Sequence, residues 1–222
     1  APMEKKNNSC APRLDAVGKA TGNLRFCADY SVPGMLHGAM LFSSHQHAKI
    51  LRVTTPKLLK NQIILTGADL DVCCLWNIFP ILCTDRVRSF GDVVAIAAAP
   101  THKEAQALLG QVQVEYESLE VVRSIEESLQ RKAVIHDQYQ DNIWPNSHYV
   151  LKRVVEEREP ARVYERQYRT QTVEHAYLET ETVLAIPEFE HLRIIASAQY
   201  PFSVRKAVCE AVGLPFSQVS VI

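Results

Sequence analysis

The sequence predicts an α+β protein of mixed sheets and flanking helices, built in two units. Val93–Ala99 is an almost unbroken apolar run, as expected of a strand covered on both faces. A capping box at Thr101–Glu104 follows it, with helically spaced Ala105, Leu108, Leu109 and Val112. Then comes Gln111–Glu117, where Val112, Val114 and Tyr116 alternate with polar residues like a strand with one wet face. After residue 132 the pattern dissolves into a polar stretch, and a second unit begins in which strand-like segments lead into an amphipathic helix.

Composition sets the outer bounds. With 222 residues, 47% hydrophobic and 22% charged, the chain can bury a sizeable core. A formal net charge of -1 gives no electrostatic ground for nucleic acid or an acidic membrane as partner. No apolar run reaches transmembrane length, and Ala1–Asn8 lacks the apolar centre of a signal peptide, so a cytoplasmic location is expected. The six cysteines, Cys10, Cys27, Cys73, Cys74, Cys83 and Cys209, form no C-x-x-C pair. Neither a zinc ribbon nor an iron–sulfur cluster is encoded by their spacing, and free thiols are expected.

Residues 1–12 read as a loose arm, and the fold starts near Arg13. Lys19–Gly22 has phosphate-loop residue types, but no Lys-Ser/Thr pair follows its glycine, so that function is excluded. Pro33-Gly34 marks a turn before strands at Leu36–Ser43 and Ala48–Val53. His45 and His47 between them have His-x-His spacing, yet no third ligand is signalled nearby, and exposed loop histidines are expected. Thr55-Pro56 opens a short helix, Gln62–Leu65 is a strand, and Thr66–Leu70 is a turn into the irregular Val72–Leu82. In that segment Trp76, Ile78 and Phe79 suggest a loop covering the core, with a partner-binding patch as the alternative. Arg86–Phe90 is a strand before Gly91-Asp92, where the aspartate is expected to bond local backbone. Ser124–Glu127 is a second capping box, for a helix ending near Lys132, and residues 133–161 read as a linker.

In the second unit the strand-like segments are Thr170–Tyr177, Thr182–Ile186 and Leu192–Ala198, with Pro187 and Glu188–His191 as a turn. Pro201 suits a first helical position, Gly213 a left-handed C-terminal one, and Pro215 blocks continuation. Gln199 falls at the seam between strand and helix, where uncapped N–H groups and the helix dipole favour an anionic or oxo group. On residue type alone it caps the helix or faces water. Alternation would send His175, Tyr177 and Glu179 to one face of their segment, where a structural hydrogen-bonding role is expected for His175 and Glu179.

The string EHAYLETE, then ASAQYP, an amphipathic helix and GLPFSQVSVI, resembles the start of the molybdopterin-binding region of the molybdenum hydroxylases, the xanthine dehydrogenase and aldehyde oxidase family. EHAYLETE is most similar to the xanthine dehydrogenase branch. Arg13–Ala16 with Thr21-Gly22, Pro33–Gly38, Ser43–Ile50, Thr66–Leu70, Val87–Val94 and Val114–Leu119 look, in this order, like that family's α/β hammerhead domain. Where many relatives have a Gly-Asp turn, this chain has Glu159-Pro160-Ala161. The resemblance implies an arm at 1–12, a hammerhead domain at 13–132, a linker at 133–161 and a truncated beginning of the molybdopterin-binding domain at 162–222. It implies hydroxylation of a purine, another N-heterocycle or an aldehyde carbon with oxygen from water. The cofactor implied is molybdenum-molybdopterin in the complete enzyme, with iron–sulfur clusters and FAD on partner domains or subunits; none is expected on this fragment, which alone should be inactive. Expected partners are the remainder of the molybdopterin-binding chain, the iron–sulfur and FAD subunits and a second copy in a homodimer, with no nucleic acid and no membrane. Gln199 matches the family glutamine whose amide approaches an oxo ligand of molybdenum, making it the cofactor-binding and metal-side residue; His175 and Glu179 would line the site. The alternative is a non-catalytic module that holds partner subunits.

Overall fold

A computed structural model describes residues 13–70, 72–74, 79–144, 162–177 and 179–222. The loose arm, Trp76, Ile78 and the 159–161 departure lie outside the described residues. The first unit contains α1 (Ala16–Thr21), β1 (His37–Phe42), β2 (Ala48–Thr54), β3 (Ile63–Thr66), β4 (Cys73–Cys74), β5 (Phe79–Pro80), β6 (Arg86–Val87), β7 (Val93–Ala99), α2 (His102–Leu109), β8 (Gln113–Ser118) and α3 (Ile125–Leu129). Two antiparallel three-stranded sheets have the orders β1-β7-β3 and β6-β2-β8, and β4 pairs with β5.

The apolar run of β7 is explained by what lies on its two faces. Ala95 and Ala97 pack with Ile64 against Leu108 and Leu109 of α2. Val94, pointing the other way, packs with Ala48, Cys83 and Val87. The small alanines let helix and sheet approach closely, and each buried Val or Leu contributes about 1.5–3 kcal/mol. Helix α2 starts where expected: Thr101 Oγ1 accepts from Glu104 N at 3.2 Å, and the Glu104 carboxylate accepts from Thr101 N at 3.1 Å. The strand–helix–strand succession is present, but β7 and β8 lie in different sheets, so α2 crosses from one sheet to the other.

Several local expectations are corrected. Residues 55–59 form no helix. The stretch before β3 is taken instead by a turn about Lys60-Asn61, in which Leu59 N donates to Gln62 Oε1 at 3.0 Å, Gln62 N donates to Leu59 O at 3.2 Å and Asn61 is left-handed at φ 64°. The strand expected over Arg86–Phe90 is reduced to β6, because Asp92 draws the chain into a turn by accepting from Arg88 N and, at 2.9 Å, from Ser89 Oγ. That is the local backbone role foreseen for Asp92. Helix α3 stops at Leu129, short of Lys132, with Arg131 at φ 56°. The Glu127 carboxylate caps Arg123 N at 2.8 Å, one residue ahead of the reciprocal bond expected. Residues 133–144, expected as linker, are bound to the first unit. Asn142 Nδ2 donates to Ala133 O at 2.8 Å and Ser128 O at 3.2 Å, its Oδ1 accepts from Ile135 N at 3.0 Å, and Arg88 Nε donates to Ile135 O at 2.8 Å.

The second unit is β9 (Val183–Glu188), β10 (His191–Ala196), α4 (Pro201–Val212) and β11 (Val219–Val221), with sheet order β11-β10-β9. Pro187 lies inside β9 opposite Leu192 and not in the turn, which is confined to Phe189-Glu190. An edge strand tolerates a proline's missing N–H. β10 and β11 are parallel with α4 as crossover, and Val204, Val208 and Cys209 of α4 pack on Ile194 and Val219. Gly213 at φ 70° closes the helix as its sequence position foretold. The strand expected at Thr170–Tyr177 is absent: residues 162–177 are exposed, without regular structure or a sheet partner among the described residues.

Cys27, Cys83 and Cys209 are free and buried. Burial, reinforced by Asp92, pushes the Cys83 thiol up to about 12. In native protein at pH 8 these three should alkylate far more slowly than in urea, as read by peptide mass spectrometry; prompt labelling of Cys83 would place it outside this core.

Candidate functional site

Strand β10 carries the chain from the core to the seam. Its last residues, Ile195 and Ala196, pair with Leu184 and Val183 of β9, and Ser197 N still reaches Thr182 O at 3.1 Å. Gln199 then stands exposed, and its amide makes no hydrogen bond to another described residue. Pro201 opens α4, and the N-cap residue, Tyr200, supplies no side-chain cap. Ser203 N and Val204 N both turn back to Tyr200 O at 3.1 Å. The result is an unengaged amide beside the uncapped, positive end of a 12-residue helix. Such a pair offers donors to an electron-rich group.

The segment after residue 178 is fastened to this strand end. Ser197 Oγ donates to Thr180 O at 3.0 Å and accepts from Thr182 N at 3.0 Å, while Thr182 Oγ1 donates to Thr180 O at 3.1 Å. Glu179 is half-buried here. Beneath it, Cys27 reaches in from the first unit, its Sγ donating to Ile195 O at 3.3 Å. Burial raises the Cys27 thiol above its usual range and the Glu179 charge raises it further, so it stays a neutral donor. Glu179 is thereby placed near the strand end that leads to Gln199.

His175 is placed differently. It is exposed, its backbone N–H donates to the Glu174 carboxylate at 3.0 Å, and the left-handed Ala176 (φ 49°) breaks the alternation that would have put His175, Tyr177 and Glu179 on one face. Tyr177 OH instead donates to Glu181 Oε1 at 3.1 Å, which raises the phenol above its usual range. Tyr200 and Phe202 flank the seam and are well exposed, at 64% and 79%. This leaves an apolar rim around Gln199.

His45 and His47 are not the exposed pair expected. His47 is buried, Nδ1 lying 2.6 Å from Glu120 O, and His45 stacks against Tyr116 with ring centroids 4.4 Å apart. The second sheet closes over the segment because Leu119 N bonds His47 O at 3.0 Å. Among the described residues no group of three His, Cys, Asp or Glu is placed to hold a metal ion.

Sequence reasoning missed Ser197 and Cys27. Ser197 carries no periodic signal, since its partners lie 15 and 17 residues away. Cys27 read only as a free thiol, and its contact spans 168 residues.

The family model described as "Aldehyde oxidase and xanthine dehydrogenase, a/b hammerhead domain" matches residues 21–120, and that described as "Molybdopterin cofactor-binding domain" matches residues 135–222. The chain is 33% identical to a probable xanthine dehydrogenase subunit of Bacillus subtilis, covering 97% of this chain and 30% of that protein. It is 29% identical to the "Nicotinate dehydrogenase large molybdopterin subunit" of Eubacterium barkeri, covering 95% of this chain and 51% of that one. The chain thus spans about a third to a half of these relatives. Among solved structures, quinoline 2-oxidoreductase of Pseudomonas putida 86 aligns with a TM-score of 0.74 and 25% identity over 94% of this chain and 29% of that chain.

Proposed function

The chain belongs to the aldehyde oxidase and xanthine dehydrogenase family of molybdenum hydroxylases, and from that premise we propose that it forms the hammerhead domain and the opening of the molybdopterin-binding domain of such an enzyme. The two units proposed are residues 13–132, with 133–144 bonded to them, and residues 162–222. The reaction proposed is hydroxylation of an electron-poor carbon, in a purine or another N-heterocycle or aldehyde, with oxygen from water. The electrons would leave to iron–sulfur and flavin groups on partner domains or subunits. The setting proposed is cytoplasmic; among the described residues no helix is long and apolar enough to cross a membrane.

The observation that carries this reading is the unengaged Gln199 amide beside the uncapped N-terminus of α4. That donor set fits molybdenum-molybdopterin, whose oxygen and phosphate groups are acceptors. When bound, the cofactor would supply the two-electron redox change of the reaction. Gln199 would hold its amide N–H toward the cofactor, and the first-turn amides of α4 would add a positive field on the same side. Glu179 and the segment behind Ser197 would form a wall, and the Tyr200–Phe202 rim would pack against further polypeptide and exclude water. That apolar rim also suits the second reading, a module that only holds partner chains.

Isotope transfer separates the two. Enzyme assembled from this chain, the remainder of the molybdopterin-binding polypeptide and the partner subunits, given hypoxanthine or xanthine in ¹⁸O-water, should release product carrying the label, while the 222-residue chain alone should turn over neither. A fully metallated assembly inactive on purines, other N-heterocycles and aldehydes alike would leave only the module.

A further inference from the structure

Gln199 hangs between two fixed points. On one side Pro201 locks its own φ and restricts Tyr200 before it. On the other, Ser197 is the last residue of the strand end anchored to the neighbouring segment: its N–H bonds Thr182 O, and its hydroxyl bridges Thr180 O and Thr182 N. Only Ala198 lies between that anchor and Gln199.

We propose that Ser197 is a positioning residue for Gln199, clamping the strand end that aims the Gln199 amide to the segment that carries Glu179. This rests on the function proposed for Gln199. The hydroxyl is used at both ends, donating its proton to one carbonyl and accepting one amide proton, so its orientation is fixed by a complementary pair of bonds. Cys27 holds the same strand two residues earlier through Ile195 O, so the anchoring continues down from the clamp toward the first unit. Ser197→Ala keeps the backbone bond to Thr182 O but leaves Thr182 N without its acceptor and Thr180 O with one donor fewer. The strand end and the 179–182 segment then separate slightly, and the Gln199 amide loses its aim while remaining present. A displacement well under an ångström at an oriented donor weakens transition-state stabilisation more than substrate binding.

In the metallated holoenzyme, Ser197→Ala should slow the reductive half-reaction about tenfold with little change in KM, and Ser197→Thr, which retains the hydroxyl, should restore most of the rate. Because Ser197 acts through Gln199, the double variant Ser197→Ala/Gln199→Ala should be no more than about twofold slower than Gln199→Ala alone. Independently of activity, the Thr182 amide in the 222-residue chain should exchange with deuterium at least about tenfold faster in Ser197→Ala. A full rate for Ser197→Ala beside a slow Gln199→Ala overturns the inference alone, as do multiplying effects in the double variant. A full rate for Gln199→Ala withdraws the role of Gln199 and this inference with it. Should Ser197→Ala fail to fold, Ser197→Cys, with a weaker hydrogen-bonding atom, is read by the same outcomes.

Discussion

Gly67→Ala should cost about 2–4 kcal/mol of stability, measured as a lowered urea midpoint with an unchanged slope. A Cβ at this position would lie 2.6 Å from Cys83 O and 2.7 Å from both Cys83 C and Thr84 Cα. These are backbone atoms, so no rotamer change relieves the clash. The stretch of chain they belong to is held on both sides: Cys83 N donates to Val93 O at 2.8 Å, and Thr84 Oγ1 donates to Gly67 O at 3.2 Å. Nor can residue 67 retreat, because the turn it occupies is fastened by Thr66 N and Thr66 Oγ1 donating to Asp69 Oδ2 at 2.8 and 2.9 Å. The glycine is required for close approach and not for an unusual φ, which separates it from Gly22, Gly34 and Gly213 at φ 71°, 78° and 70°. At Gly34, where a Cβ meets nothing within 4 Å, alanine should cost only about 1 kcal/mol. Equal losses at the two positions would mean that the β3 turn and the 83–84 segment do not touch.

What the sequence could tell depended on how far each feature reached along the chain. The Thr101 capping box, the Pro201-to-Gly213 frame of α4 and the double-sided burial of Val93–Ala99 were legible because each is written in residues a few positions apart. The pairing of β2 with β8, which takes β8 away from the sheet of β7, was not legible, since register with a strand about sixty residues away leaves no local trace. The strand β11 was missed for a related reason: three residues, Val219–Val221, become a strand only because β10 offers them a parallel edge. Conversely, Thr170–Tyr177 has strand composition but no described strand against it, and composition alone does not supply hydrogen-bond partners. The position of Gln199 between strand and helix was readable from local signals. The clamp behind it was not, because Ser197 and Cys27 act through carbonyls and amides whose proximity only the folded sheet creates.

Gln199→Ala should slow the reductive half-reaction of the metallated holoenzyme by about 10²–10³-fold, the usual loss when one oriented donor is removed from a developing charge. Folding should be unaffected, because the side chain is exposed and bonds no other described residue, and such surface substitutions stay within about 0.5 kcal/mol. Gln199→Glu separates donation from size. The carboxylate fills nearly the same space and keeps the geometry set by Pro201 and Ser197, but an ionised carboxylate only accepts, and it brings a negative charge to the positive end of α4. The glutamate variant should therefore be as slow as the alanine variant or slower, with the melting temperature of the 222-residue chain unchanged or slightly raised by the helix dipole. If glutamate restored the rate, charge or bulk at position 199 would matter and not the amide N–H. If both variants reduced at the unmodified rate with full metal content, Gln199 would have no part in the chemistry, and the candidate site would have to be sought away from the β10–α4 seam.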